Sequence, residues 1–369
     1  MFDIPFFKKI SIPSFSFGLF GGGIDRAAGV DIGSYSTKVV QLRYEKDRAV
    51  LETYGELLSA AYFKGTQEGS GMLRYQESDI VEMLKDLRRE SHVTARDFVF
   101  SIPATSSFVT TISLPRMETN ELEKAMPFEA RRYVPIPMSE IVFEWEVTEA
   151  GQNQESMNVL LLAVPKDVIE RLKKVSSALD IRLRAVEIEI FSMLRSLVGH
   201  DTTPTAILNI GHHATTIVLA DQGRVRSSHT FNRGSDELTT ALERGLGITR
   251  ERADAIKRDV GISETMEDKE IVSIITPLFD LWAAETERAV SVYNRRAQRK
   301  IQKLILAGGG ASLKGIVDSL SNRLGLEVMR GAPFSRVVAP PVLQPTLREI
   351  GPTFSTAVGL ALREITGNK

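Results

Sequence analysis

Two short stretches hold the residues best suited to chemistry. Residues 29 to 42 read "GVDIGSYSTKVVQL", and residues 208 to 219 read "LNIGHHATTIVL". Each sets a polar residue, Asp31 or Asn209, two places before a glycine, Gly33 or Gly211. A glycine in a tight turn lets a ligand come close to the backbone. Successive N–H groups at such a turn make a concavity for anions. Ser34, Ser36, Thr37, Thr215 and Thr216 add donors with little bulk. Lys38 can place a point charge on a phosphate, although a solvated strand lysine is nearly as simple a reading. His212 and His213 stand in the second turn. Adjacent residues of an extended segment face opposite ways, so this pair is not expected to chelate one metal or to act as a catalytic couple. What the second turn is expected to offer is its N–H groups, with one imidazole near a phosphate. A charged imidazole there would make affinity rise as pH falls.

The elements that carry these turns are legible. Val40, Leu42 and Tyr44 alternate with polar residues, the period of a half-buried strand, so residues 28 to 45 read as strand, turn, strand. Residues 207 to 219 repeat that pattern, one copy in each half of the chain. A third element, "LILAGGGASLKG" at 304 to 315, places Gly308, Gly309 and Gly310 after an apolar strand, where they are expected to open a helix whose N-terminus favours anions. It is neither a GxGxxG nor a GxxxxGK[ST] loop. Elsewhere "NVLLLAVP" reads as a central strand, and Ser78 as the cap of a helix that buries Ile80, Met83, Leu84 and Leu87. Helices are expected to break at Pro127 and Pro277, and a Pro-rich loop to precede a last helix, "TFSTAVGLALREI". The polar stretch 199 to 205 marks a domain boundary. Strands and helices alternate throughout, so the class is α/β.

Composition narrows the function classes. The 369 residues suffice for two or three domains. Lys plus Arg is 46 against 47 for Asp plus Glu, which argues against a dedicated nucleic-acid binder. The absence of cysteine excludes disulfides and thiolate metal sites. No run approaches the ~18 apolar residues of a membrane helix, and no secretory signal is apparent, so a cytoplasmic protein is expected. The start is rich in phenylalanine (Phe2, Phe6, Phe7, Phe15, Phe17, Phe20), broken by Pro5 and Pro13, and followed by Gly21 to Gly23. A disordered tail is the plain reading; a short lipid-facing or tethering segment is the sharper one.

Two hairpins and a late glycine-rich turn, in this order, resemble the actin/Hsp70/sugar-kinase superfamily, as its phosphate-1, phosphate-2 and adenosine elements. "VEIEIFSML" and "STAVGLAL" resemble its two connecting helices, with Glu189 at the acidic position of the first. Within the superfamily, "AMPFEARRYVPIPMSEIVFEWEV", "ERADAIKRDVGI" and "FSTAVGLALRE" most resemble the PilM family, actin-like proteins of type IV pilus assembly related to FtsA. The resemblance implies an actin-like, ribonuclease H-like two-lobed ATPase fold. Lobe 1 would span 27 to 203, with a 1C subdomain at about 98 to 170. Lobe 2 would span 204 to 369, with a 2B insertion at about 236 to 300. It also implies ATP with Mg²⁺ as cofactors, and a place beside the inner membrane. The partner it implies is the short N-terminal segment of a PilN-type membrane protein, held in a 1A/1C groove. Other pilus proteins and self-association are further partners it allows.

Carried onto this chain, the resemblance assigns nucleotide binding to Asp31, Gly33, Ser34, Tyr35, Ser36, Thr37 and Lys38 in the first turn. In the second it assigns Asn209, Gly211, His212, His213, Ala214 and Thr215, and beyond them Lys257, Gly308, Gly309, Gly310 and Ser312. Asp31 would hold Mg²⁺ through water. Glu189 would orient Mg²⁺ or the attacking water, or be an ordinary strand-to-helix glutamate. Lys257 would reach the nucleoside, the plainer reading being a surface lysine. The family usually has Asp where Asn209 stands, and "RGS" at 233 to 235 replaces a common double-glycine turn. Asn cannot serve as a general base, so ATP is expected to bind and to be hydrolysed slowly or not at all. A sugar-type kinase would need a base that is not evident, and an FtsA-like division protein a C-terminal amphipathic helix where "REITGNK" stands.

Overall fold

The computed structural model describes residues 17–18, 24–63, 75–150, 155–262 and 268–366. The Phe-rich start lies outside them except for Phe17–Gly18, which pairs with Val186 and Ala185 at a sheet edge.

Three sheets organise the chain. In the six-stranded sheet the order is Phe17–Gly18, Arg182–Ile188, Asp97–Ile102, Arg26–Ile32, Ser36–Glu45, Arg48–Leu58. The five-stranded sheet runs Arg224–Phe231, Thr215–Asp221, Thr205–Ile210, Lys303–Ala307, Glu327–Arg330. Read from the meander outward, both have three antiparallel strands and then two parallel ones, so the duplication seen in the hairpins extends to five strands of each sheet, the first sheet adding Phe17–Gly18 antiparallel at its edge. A third sheet of three strands has Ser156–Pro165 between Phe108–Pro115 and Ile141–Ala150. The apolar run "NVLLLAVP" is its central strand, because a strand paired on both edges and buried on both faces has no polar side to show.

Two helices link the large sheets. Glu189–Leu197 leaves the end of Arg182–Ile188 and leads to the second sheet. Gln344–Thr366 closes the chain by packing back on the first sheet, burying Phe354, Val358 and Leu362. They cross at Gly359, where a Cβ would lie 1.9 Å from the Ser192 carbonyl oxygen, so only glycine permits this approach.

Several expectations are corrected. Helices Thr119–Tyr133 and Lys269–Arg296 run through Pro127 and Pro277 without interruption. Each proline removes one hydrogen bond. The buried Met126 and Ala130, and Trp282 and Ala283, hold the turns on the core. The closing helix starts at Gln344 and contains Pro352, so much of the stretch read as loop is helical. The first helix begins at Glu77 after Gln76, placing Ser78 inside its first turn rather than at its cap. The glycine run itself enters a 3-10 turn, Gly309–Ser312, and the α-helix starts only at Ile316. The glycines therefore do not sit on an α-helix N-terminus.

Candidate functional site

The two hairpin turns are built alike. Gly33 N–H donates to the Ser36 carbonyl at 3.2 Å, and Gly211 N–H to the Ala214 carbonyl at 2.9 Å. The first turn is pinned from behind: Ser59 Oγ donates to the Gly33 carbonyl at 2.8 Å, and Ser59 N–H to that of Tyr35 at 2.8 Å. The second is pinned by the start of helix Asp236–Leu246, where the Ser235 and Asp236 N–H groups donate to the Gly211 and His212 carbonyls, each at 2.9 Å.

The turns face each other across one large cleft of about 1170 Å³, ample for a nucleoside triphosphate. Its walls include Asp31, Gly33, Ser34, Tyr35, Ser36, Lys38, Glu189, Asn209, Gly211, His212, His213, Ala214, Lys257, Gly308, Gly309, Gly310 and Ser312. Two expected residues are not among them. Thr37 is buried and its hydroxyl lies 3.4 Å from Ser59 Oγ, while Thr215 Oγ1 donates to the Arg233 carbonyl at 2.6 Å. Strand alternation turns both inward, and Thr216 faces the cleft instead.

The cleft floor is acidic. Asp31 Oδ1 accepts from Ser101 Oγ at 2.7 Å, and burial pushes its carboxyl upward against the pull of Lys38 and Ser101. Glu189 Oε1 accepts from Ala104 N–H at 2.9 Å. Burial first, and then the neighbouring Asp31, push Glu189 up to about 7. Both keep part of the side chain toward the cleft. Two carboxylates repelling each other in a desolvated pocket are a donor set that a hydrated Mg²⁺ would satisfy, since Mg²⁺ keeps water and takes few carboxylates.

Lys38 and Lys257 are not the solvated lysines that the plainer readings had them as. Each is 9% exposed. Lys38 Nζ donates to Ser36 Oγ at 2.6 Å and lies 3.3 Å from Glu56. Lys257 Nζ donates to Thr239 Oγ1 at 2.8 Å and pairs with Asp254 at 2.6 Å. Arg299 donates to Asp221 at 2.7 Å and to the Thr202 carbonyl at 2.9 Å.

On the other wall Gly308 has φ 77°, and a Cβ there would lie 2.4 Å from the Ile210 carbonyl oxygen and 2.6 Å from Asn209 Oδ1. Its N–H donates to the Pro352 carbonyl at 2.9 Å, tying the glycine turn to the closing helix. Gly309 has open space where a side chain would be. At the mouth, Arg258 Nη2 donates to the Tyr35 hydroxyl at 3.1 Å, and the Tyr35 and His212 rings lie 5.0 Å apart.

The histidines overturn their expected geometry. Residues 211 to 214 form a turn, not an extended segment, so the alternation rule does not apply. The two rings lie 4.3 Å apart. His212 Nε2 is 3.4 Å from Asp236 Oδ1, and His213 Nδ1 is 3.8 Å from Asp236 Oδ2. Burial and then His213 push His212 down to about 4, so it is neutral between pH 6 and 8 and supplies no pH-dependent attraction for phosphate there. Sequence reasoning missed Asp236, Arg258, Ser59 and Ser101. None has a motif of its own: Arg258 lines the cleft, whereas Ser59, Ser101 and Asp236 stand behind it and hold Gly33, Asp31 and His212.

A model of the family described as type IV pilus assembly protein PilM matches residues 29–365. Among solved structures, a PilM–PilN type IV pilus biogenesis complex superposes with a TM-score of 0.76 at 22% identity, over 93% of this chain and 99% of that one. The ethanolamine utilization protein EutJ from Carboxydothermus hydrogenoformans matches with 0.53 at 15% identity, over 95% and 93%. MreB5 of Spiroplasma citri bound to AMPPNP matches with 0.53 at 11% identity, over 92% and 96%. The architecture is that of actin-like proteins.

Proposed function

The chain belongs to the PilM family of type IV pilus assembly proteins, and from that premise we propose that it is an actin-like scaffold of the pilus assembly platform that holds ATP with Mg²⁺ between its lobes and binds the N-terminal cytoplasmic segment of a PilN-type inner-membrane protein. The observation that carries the nucleotide reading is the convergence of both hairpin turns, the Asp31–Glu189 pair and the Gly308–Gly310 turn on one cleft. The turns' N–H groups and Lys38 would hold the phosphates, and Asp31 and Glu189 would hold hydrated Mg²⁺, which when bound offsets phosphate charge. Gly309 leaves room for the ribose or base.

We assign the six-stranded sheet to subdomain 1A, the three-stranded sheet to 1C, the five-stranded sheet to 2A and the helices within 236–296 to 2B. The PilN-type segment would lie in a groove between 1A and 1C. This reading makes the protein peripheral to the inner membrane through its partner; no helix among the described residues is long and apolar enough to cross a membrane. Asn209 brings no charge and no base to the place where the first hairpin has Asp31. Nucleotide is therefore held more than it is hydrolysed.

Thermal unfolding of the full chain tests this with Mg²⁺ and ATP, with sugars, and with a synthetic PilN-type N-terminal peptide. Stabilisation by ATP and by the peptide, and none by sugars, is expected. Stabilisation by a sugar with no response to the peptide would overturn the scaffold in favour of a kinase.

A further inference from the structure

We propose that His212, His213 and Asp236 form a binding site for a divalent transition-metal ion of the zinc, cobalt and nickel class at the mouth of the cleft, separate from the carboxylates of its floor. One ligand atom from each of the three residues lies within 4.8 Å of the others. Around a tetrahedral ion with bonds of about 2.0–2.1 Å, ligand atoms stand roughly 3.3 Å apart, so side-chain movements on the order of 1 Å close the shell. The backbone is already set, because the Asp236 N–H donates to the His212 carbonyl at 2.9 Å and fixes the helix start against the turn.

The surroundings select the class of ion. Arg250 also reaches Asp236 Oδ1, leaving Oδ2 on the side of His213. Arg250 and Lys257 both act on His212 as positive neighbours. Such a site has little net negative charge and suits poorly the hard cations that need several carboxylates. Two imidazoles and one carboxylate suit ions bound through nitrogen. Half of the His213 side chain is open to solvent, so water can complete the coordination.

The test titrates Zn²⁺ into the nucleotide-free full chain by calorimetry, with Co²⁺ absorption in the visible as a geometric readout. The absence of cysteine removes thiolate background. One equivalent of Zn²⁺ is expected to bind, Co²⁺ to leave its octahedral aquo spectrum, and millimolar Mg²⁺ not to displace either. Loss even of outer partners of metal ligands costs about 10–100-fold, so Asp236→Asn and His213→Gln should each weaken Zn²⁺ at least about tenfold. His92→Gln should leave it unchanged. No binding, binding by Asp236→Asn and His213→Gln as tight as by the parent, or displacement by Mg²⁺ would overturn the site. Both variants change partly exposed side chains, and an unchanged melting temperature in EDTA separates lost ligation from lost folding.

Discussion

Replacing Glu189 by glutamine should stabilise the nucleotide-free protein, and only above mildly acidic pH. Glu189 lies beside Asp31 in a desolvated floor, and its carboxyl is raised from 4.5 to about 7. The folded state therefore holds the proton more tightly than the unfolded chain. The stability this confers is complete below about pH 4.5 and is lost as pH rises through about 7, where folding must carry a charged carboxylate. At about 1.4 kcal/mol for each tenfold change in proton affinity, the full cost is about 3 kcal/mol. Part of the side chain meets cleft water, which screens the charge and lowers the expected value to about 1–2 kcal/mol. Glutamine keeps the acceptor for Ala104 N–H and never ionises. Urea unfolding in EDTA should show Glu189→Gln level with the parent at pH 4.5 and more stable by about 1–2 kcal/mol at pH 8. Adding Mg²⁺ with ATP should narrow the gap, because the cation compensates the paired carboxylates. A variant less stable than the parent at pH 8, or equally shifted at both pH values, would refute the reasoning.

Gly308→Ala should abolish binding of a fluorescent nucleotide and cost about 1–3 kcal/mol in urea unfolding, since the left-handed backbone and the Ile210 contact both penalise a Cβ. Asn209→Asp should raise phosphate release and lower nucleotide-free stability at pH 8, as a third carboxylate joins Asp31 and Glu189; unchanged turnover would count against Asn209 as the cause of slow hydrolysis. In the Glu189→Gln background, nucleotide affinity should be flat from pH 6 to 8 and rise only as His212 charges near about 4. A rise already between pH 8 and 6 that persists in His213→Gln would count against a neutral His212. Tyr35→Phe removes the hydroxyl that Arg258 reaches across the mouth, and stopped-flow measurements should find nucleotide release several-fold faster, by the ~1 kcal/mol of one exposed hydrogen bond.

By itself the sequence determined the architecture and the parts of the cleft. Alternating residues around Val40 and Ile207 reported strands, and the repeat of Asp31–Gly33 as Asn209–Gly211 reported a duplicated hairpin, because a turn that must present its N–H groups tolerates few residue types. Gly308, Gly309 and Gly310 were legible for the same reason. What the sequence could not determine was which way individual side chains point where the regular periods lapse. His212 and His213 converge because their segment is a turn. Thr37 and Thr215 face inward, and Lys38 and Lys257 are buried, because neighbouring strands and helices set those directions. Pro127, Pro277 and Pro352 stay within helices because the core on either side outweighs one missing hydrogen bond. The proton affinity of Glu189 was equally out of reach: it arises first from water excluded by strands that meet only when folded, and then from Asp31, over 150 positions away in the chain. Local preference is written in neighbouring residues, whereas orientation, burial and charge coupling belong to residues that only the tertiary fold makes neighbours.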